Sequence, residues 1–178
     1  IEVEVLDIHP TGAKLRGGEV GIGKDSALRI GALTSADLAD LVVVADLADM
    51  VNLSFVRHPD DIAALQAELQ RLGWDDLGII AKVENVAAFE RLPEILLAGM
   101  RSPSVGVMIA RGDLAVEVGF DRLAEVQEEI LWLCEAAHVP VVWATEVLDT
   151  MARTGRATRA EVTDAAMSVR AECVMLNK

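Results

Sequence analysis

The sequence predicts an α/β protein, a parallel β-sheet covered by helices, and three observations predict it. Short runs that are apolar on both faces recur, among them Gly78–Val83 (GIIAKV) and Val105–Ala110 (VGVMIA). Amphipathic helical patterns fill the intervals, so that one strand and one helix repeat every 30 residues or so, roughly the size of a βαβ unit. Polar residues gather at the C-terminal end of each apolar run. Strands buried on both faces that alternate with helices are the mark of a parallel sheet packed under helices.

The elements follow in order. Residues 1–30 read as the tail of a small β-rich unit. IEVEVLDI alternates like a half-buried strand, and TGAKLRGGEVGIGKDS is rich in glycine and charge. Within it, Gly18 to Lys24 matches GxxxxGK. Asp25 stands where a magnesium-binding Ser or Thr belongs and no amphipathic helix follows, so the phosphate-loop reading is set aside. The βα repeat occupies residues 31–178. Thr34 with Asp37 makes a capping-box start to a helix running to about Asp49, with Leu38, Leu41 and Val42 on one face.

Met50–Val56 is the first strand. Pro59 opens the next helix, with Ile62, Leu65, Leu69 and Leu72 at helical spacing and Gly73 as the stop. Gly78–Val83 is the second strand, and a helix runs on through Phe89, Leu92, Ile95 and Leu96. Val105–Ala110 is the third strand, followed by a helix from Asp121 to Ala137 that buries Leu123, Val126, Ile130, Leu133 and Cys134. Pro140 introduces the fourth strand, Val141–Ala144. Thr158 with Glu161 is a capping box for the last helix, and Cys173–Leu176 is the fifth strand. Five such units suit either an open doubly wound sheet or part of an eight-stranded barrel. A whole barrel takes about 250 residues, and the chain has 178.

Composition removes several classes of function. Hydrophobic residues make up 52% of the chain, which excludes disorder, yet no apolar run approaches the roughly 20 residues of a membrane-spanning helix. The 29 acidic residues outnumber the 16 basic ones, for a formal charge of −13. That excess argues against nucleic acid and membranes as partners. It leaves a small anionic substrate open, because a few local cations reverse the field inside one cleft. Cys134 and Cys173 form neither a disulfide framework nor a metal-type spacing, which reads as a reduced, cytoplasmic protein. The N-terminal stretch does not read as a signal peptide. A chain that opens at Ile1 reads as a piece of something longer.

The chemistry collects at the strand ends. They carry Ser54 and Arg57, then Lys82, Glu84 and Asn85, then Arg111, Gly112 and Asp113, then Thr145 and Glu146, and finally Asn177 and Lys178. In parallel α/β folds the ligand sits at the carboxyl ends of the strands. Lys82 and Glu84 are two apart on a strand and share a side. Asp113, one strand over, is placed to share a hard cation with Glu84. Magnesium takes one or two carboxylates and completes its shell with waters and substrate oxygens. A lysine beside such a metal suits stabilisation of charge on a transferring phosphoryl group or a forming enolate.

Each of these charges alone also fits an ordinary surface ion pair; five strand ends at once weigh against that. Gly112 either lets backbone N–H groups approach an anion such as a carboxylate or makes a plain tight turn. His9, His58 and His138 share no metal spacing. His58 reads as a cap for the helix opened by Pro59, His138 as a loop residue, and Trp132 and Trp143 as core or interface fillers.

These strand ends lie in longer motifs that resemble the pyruvate kinase family. LSFVRHPDDI (53–62), IIAKVEN (79–85), VMIARGDLAVE (107–117), VVWATEVLDTM (141–151), RATRAEVTDAA (156–166) and AECVMLN (171–177) fall in that family's order. AKLRGGEVGIG resembles the return from its small β-domain and GALTSADLADL the helix that follows, so the likeness covers nearly the whole chain from about Thr11. The resemblance implies a partial (β/α)8 TIM barrel of about five parallel units, preceded by a remnant of the lid domain in 1–30.

It also implies a phosphotransferase of glycolysis working between phosphoenolpyruvate with ADP and pyruvate with ATP. Lys82 resembles the lysine that polarises the transferring phosphoryl group and the enolate oxygen. Glu84 and Asp113 resemble the two carboxylates that hold Mg2+ (or Mn2+). The backbone at Arg111, Gly112 and Asp113 resembles the seat of the substrate carboxylate, and Thr145 the threonine implicated in protonating the enolate carbon. K+ in the full-length parent is implied as well, while the two unpaired edges of a five-stranded piece point to a homo-oligomer.

The chain departs from the family pattern at Ala88 and Ala115, which replace glycines. It also departs at Glu146, which adds a negative charge beside Thr145, and at the Asn177-Lys178 turn. The resemblance covers barrel strands four to eight, so the isolated chain is expected to have little or no kinase activity. Two other readings share the same residues: a metal-dependent lyase or aldolase handling pyruvate enolates, and a non-catalytic paralogue that binds a metabolite.

Overall fold

The computed structural model describes residues 31–176. The β-rich unit expected in 1–30, and Asn177 and Lys178 at the fifth strand end, lie outside the described residues. Five strands, β1 (Met50–Leu53), β2 (Gly78–Val83), β3 (Val105–Ala110), β4 (Val141–Ala144) and β5 (Cys173–Val174), pair in parallel. Their spatial order is their chain order. A doubly wound sheet reverses that order at a switch point; here it never reverses. The sheet is singly wound, as in a (β/α)8 barrel, and the fold is α/β, a partial barrel.

The helices are α1 (Ser35–Val44), α2 (Pro59–Leu72), α3 (Val86–Glu90), α4 (Leu92–Gly99), α5 (Arg111–Val118), α6 (Leu123–Ala137), α7 (Asp149–Thr154) and α8 (Arg159–Met167). Their starts follow local chemistry. Thr34 with Asp37 and Thr158 with Glu161 form reciprocal capping boxes. His58 caps α2 through Nδ1, which accepts the Asp60 N–H at 3.2 Å, while Asp61 accepts the His58 N–H at 3.0 Å. Gly73 ends α2 in the left-handed conformation, φ 81°.

Strand alternation decides which face is covered. Val51 and Leu53, Ile79, Ala81 and Val83, Val107 and Ile109, and Val141 and Trp143 join one buried cluster with Ile62, Leu65, Leu69, Ile95, Val126, Ile130 and Cys134 from the helices. Lys82, paired in register with Met108, points to the opposite face.

Several expectations change. β1 stops at Leu53 rather than Val56, because Phe55 turns the chain with a left-handed φ of 51°. The helix after β2 divides into α3 and α4 at Arg91. Pro93 has no N–H to donate back to Phe89, so the first helix cannot run on. The segment after β3, where Gly112 leaves an anion-facing backbone or a tight turn open, winds into α5. α6 begins at Leu123 rather than Asp121, and within it Leu131 is buried while Leu133 is half-buried. α7 had no expectation attached to it. α1 ends at Val44 rather than Asp49 and buries Leu41 alone, with Leu38 and Val42 exposed, because no described element packs on their side. β5 stops at Val174, short of Leu176, and carries an exposed Cys173.

Candidate active site

Because all five strands are parallel, their C-terminal ends share one rim of the sheet. At the end of β2, Lys82 Nζ lies 2.8 Å from Glu84 Oε1 and donates to Ser54 Oγ at 3.1 Å. Glu84 is buried, and its Oε2 accepts the Phe55 N–H at 2.6 Å. Asn85 extends the seam: its Nδ2 donates to the Val56 carbonyl at 3.0 Å while its Oδ1 caps α3 at the Ala88 N–H. The segment leaving β1 is thus tied to the end of β2 at three consecutive residues, Ser54, Phe55 and Val56. A bulky residue at positive φ is uncommon and costs energy; at Phe55 the bond to a buried carboxylate offsets that cost.

At the end of β3 the chain turns directly into α5. Ala110 precedes this helix without a side-chain cap, so its first N–H groups are available to an anion. Gly112 sits against β4. A Cβ there would lie 2.9 Å from Thr145 Cγ2, so a side chain would push the two strand ends apart. Asp113 is exposed in the first turn of α5. Thr145 and Glu146 both hold left-handed backbone, φ 75° and 53°, immediately after β4.

Arg111 behaves differently from its neighbours. Its side chain turns into the protein, donating from Nε to the Ala144 carbonyl at 2.7 Å and from its two terminal nitrogens to the Thr145 carbonyl and the Asp164 carboxylate. The guanidinium also stacks on Trp143, 4.7 Å from the ring centroid. Burial pulls its pKa down and the Asp164 charge pushes it back up.

The structure therefore brings together Lys82, Glu84 and Ser54 at one point, and Arg111, Gly112 and Thr145 at another. Asp113 stands at the adjacent strand end, exposed. Asp164 was not foreseen: it lies 53 residues from Arg111 on a different helix, and no local spacing marks it. The Phe55 amide was likewise invisible, because a backbone donor leaves no trace in residue type.

The donor set suits a hard cation that borrows ligands from its substrate. Each Glu84 oxygen holds one donor and keeps lone-pair capacity for a second, and Asp113 is open. Among the described residues no three His, Cys, Asp or Glu side chains form a complete protein cage. Magnesium, which keeps waters and takes one or two carboxylates, needs none.

This arrangement first defines a class, a singly wound β/α sheet with its polar chemistry on the carboxyl rim of the strands. The family described as the pyruvate kinase barrel domain matches residues 16–178. The pyruvate kinase of Clostridium acetobutylicum is 35% identical over 144 residues, covering 80% of this chain and 29% of that protein. That of Dictyostelium discoideum is 38% identical over 149 residues, 82% of this chain and 28% of that protein. That of Staphylococcus haemolyticus is 32% identical over 180 residues, 95% of this chain and 30% of that protein. The chain belongs to the pyruvate kinase family, and it spans less than a third of the length of these relatives.

Proposed function

We propose that this chain is the carboxyl half of the catalytic barrel of a pyruvate kinase-type phosphotransferase, acting between phosphoenolpyruvate with ADP and pyruvate with ATP in the cytoplasm. The observation that carries the reading is the pairing of Lys82 with the buried Glu84 on the ligand rim, beside the uncapped first turn of α5. In this reading Glu84 and Asp113 hold Mg2+ or Mn2+, which when bound supplies positive charge against phosphoryl and enol oxygens. The Lys82 ammonium, oriented by Ser54, stabilises the negative charge that develops as the phosphoryl group leaves the enol oxygen for ADP.

The N–H groups at Arg111, Gly112 and Asp113 receive the substrate carboxylate. Thr145, packed on Gly112, stands on the side from which the enolate carbon takes its proton. Residues 1–30 would be the remnant of the lid, and K+ would belong to the full-length enzyme. The outer edges of β1 and β5, unpaired among the described residues, support self-association.

The test is binding. Titrated with Mn2+ and followed by electron paramagnetic resonance, the chain takes one ion, and oxalate, a planar dianion that mimics the enolate, changes the signal of that bound ion. Glu84→Gln abolishes both responses. A chain that binds no Mn2+ at millimolar concentration overturns the reading. Five strands supply only part of an eight-stranded barrel, so the 178-residue chain itself turns over phosphoenolpyruvate and ADP slowly or not at all. Release of pyruvate in a coupled assay without ADP would favour the lyase reading instead.

A further inference from the structure

We infer that Asp164, on α8, is a positioning residue for the anion seat at the start of α5, acting through the Arg111 side chain. The inference rests on the functional reading above and deepens it: the seat reads a substrate carboxylate by backbone N–H groups, and Asp164 keeps the arginine out of that seat.

A guanidinium has five N–H donors in a rigid fork. In Arg111 this fork is committed in three directions at once, to the Ala144 carbonyl, the Thr145 carbonyl and the Asp164 carboxylate, with Trp143 beneath it. Two of those partners are neutral. Among the described residues, Asp164 is the carboxylate that bonds it. A buried cation whose partners are neutral carbonyls is costly and turns toward the nearest negative charge or water. For Arg111 the remaining negative charge that acts on it is that of Glu146, next to Thr145, so the way out leads to the rim, where Gly112 and Asp113 present the first turn of α5.

Removing Asp164 therefore releases the guanidinium from its fixed place. It also loosens the Ala144–Thr145 carbonyls that the same fork grips. Gly112 transmits that loosening, since its Cα packs on the Thr145 side chain with no room for a Cβ. Asp164 thus acts on the spacing of the α5 turn and Thr145 through the Arg111 side chain, away from the backbone N–H groups of the seat.

The test compares the unaltered chain with Asp164→Asn, Asp164→Ala and Thr158→Ala. The last removes the cap of α8 and leaves Asp164 in place, so it reports what loosening that helix does by itself. Mn2+ affinity is read by electron paramagnetic resonance, oxalate affinity by its effect on the bound ion, and amide hydrogen exchange at Gly112, Asp113 and Leu114 by mass spectrometry.

The expected result is Mn2+ affinity within twofold of the unaltered chain in all variants, and oxalate affinity tenfold weaker in Asp164→Ala. Asp164→Asn, which keeps an acceptor, loses less, and Thr158→Ala is unchanged. Exchange at Gly112 to Leu114 rises at least tenfold in Asp164→Ala while α2 is unaffected. Unchanged oxalate affinity and exchange in both Asp164 variants overturns the inference alone. Equal losses in Thr158→Ala also overturn it, since α8 would then act only as scaffold. An unaltered chain that binds no Mn2+ overturns the functional reading and this inference with it.

Discussion

Two cation–carboxylate pairs stand on the same rim, and they are built in opposite senses. In Lys82–Glu84 the carboxylate is the hidden partner, with side-chain exposures of 23% for the lysine and 3% for the glutamate. In Arg111–Asp164 the cation is hidden, at 9% against 28% for the aspartate. The difference follows from the head groups. An ammonium is a point charge on a flexible stem and releases one partner to take another, whereas a guanidinium fork is fixed by geometry. The lysine pair is open to a ligand and the arginine pair is closed. One rim thus holds a partly exposed charge and a buried brace, and residue type alone, cation near anion, does not say which is which.

Breaking the open pair gives the largest effect on stability. Lys82→Met leaves Glu84 buried with the Phe55 amide as its remaining partner, and urea unfolding at neutral pH should show a loss of about 3–5 kcal/mol. The double variant Lys82→Met/Glu84→Gln recovers most of it. Recovery of nothing would mean that the lysine stem, not its charge, carries the contact. Breaking the closed pair comes next. Arg111→Lys keeps a positive charge beside Asp164 and loses the fork to the two β4 carbonyls, a cost of about 2–3 kcal/mol by the same measurement.

Gly112→Ala sharpens the comparison without touching either charge. The added methyl meets Thr145, so stability falls by about 1–3 kcal/mol and oxalate affinity falls with it. Thr158→Ala removes the α8 cap for about 1 kcal/mol and leaves oxalate affinity alone.

The smallest effect is a pH response that belongs to neither pair. Burial pushes the Cys134 thiol from 9.0 up to about 12. The folded chain therefore keeps a proton that the unfolded chain releases above its own pKa, so stability is full below that value and falls as pH rises toward the folded one. Between about pH 8 and about pH 9.5 the loss is roughly 1 kcal/mol or less, seen as a lower denaturation midpoint. The slope vanishes in Cys134→Ala. In the same window the exposed Cys173 reacts with a thiol reagent at once and Cys134 only on unfolding.

Much of the fold was legible because it rests on periodicity and caps. β2, β3 and β4 appear at their expected boundaries, and Thr34, His58, Gly73 and Thr158 act where their chemistry places them. What could not be read was settled by tertiary contact. α5 forms in a segment that carries a glycine in its first turn and three charges, where local propensity reads a turn. Leu38 and Val42 look like a core stripe and have nothing described to face.

In the site, Lys82 and Glu84 were legible because a spacing of two on a strand forces a shared side. Arg111 was legible as a backbone position only. Its side-chain direction depends on Asp164 and Trp143, and nothing local ties those three together. Asp113 was placed at the right strand end.

The hold on Glu84 has a consequence for how this rim tolerates sequence change. Its second oxygen is gripped by a main-chain amide, and the Phe55 ring points largely into solvent. Exchanging that ring for another side chain leaves the grip intact. Glycine would even relieve the left-handed twist, while proline alone would delete the donor. Position 55 is therefore free to drift in polarity among side chains that tolerate a left-handed backbone, and proline is excluded by the nitrogen donor it would lose.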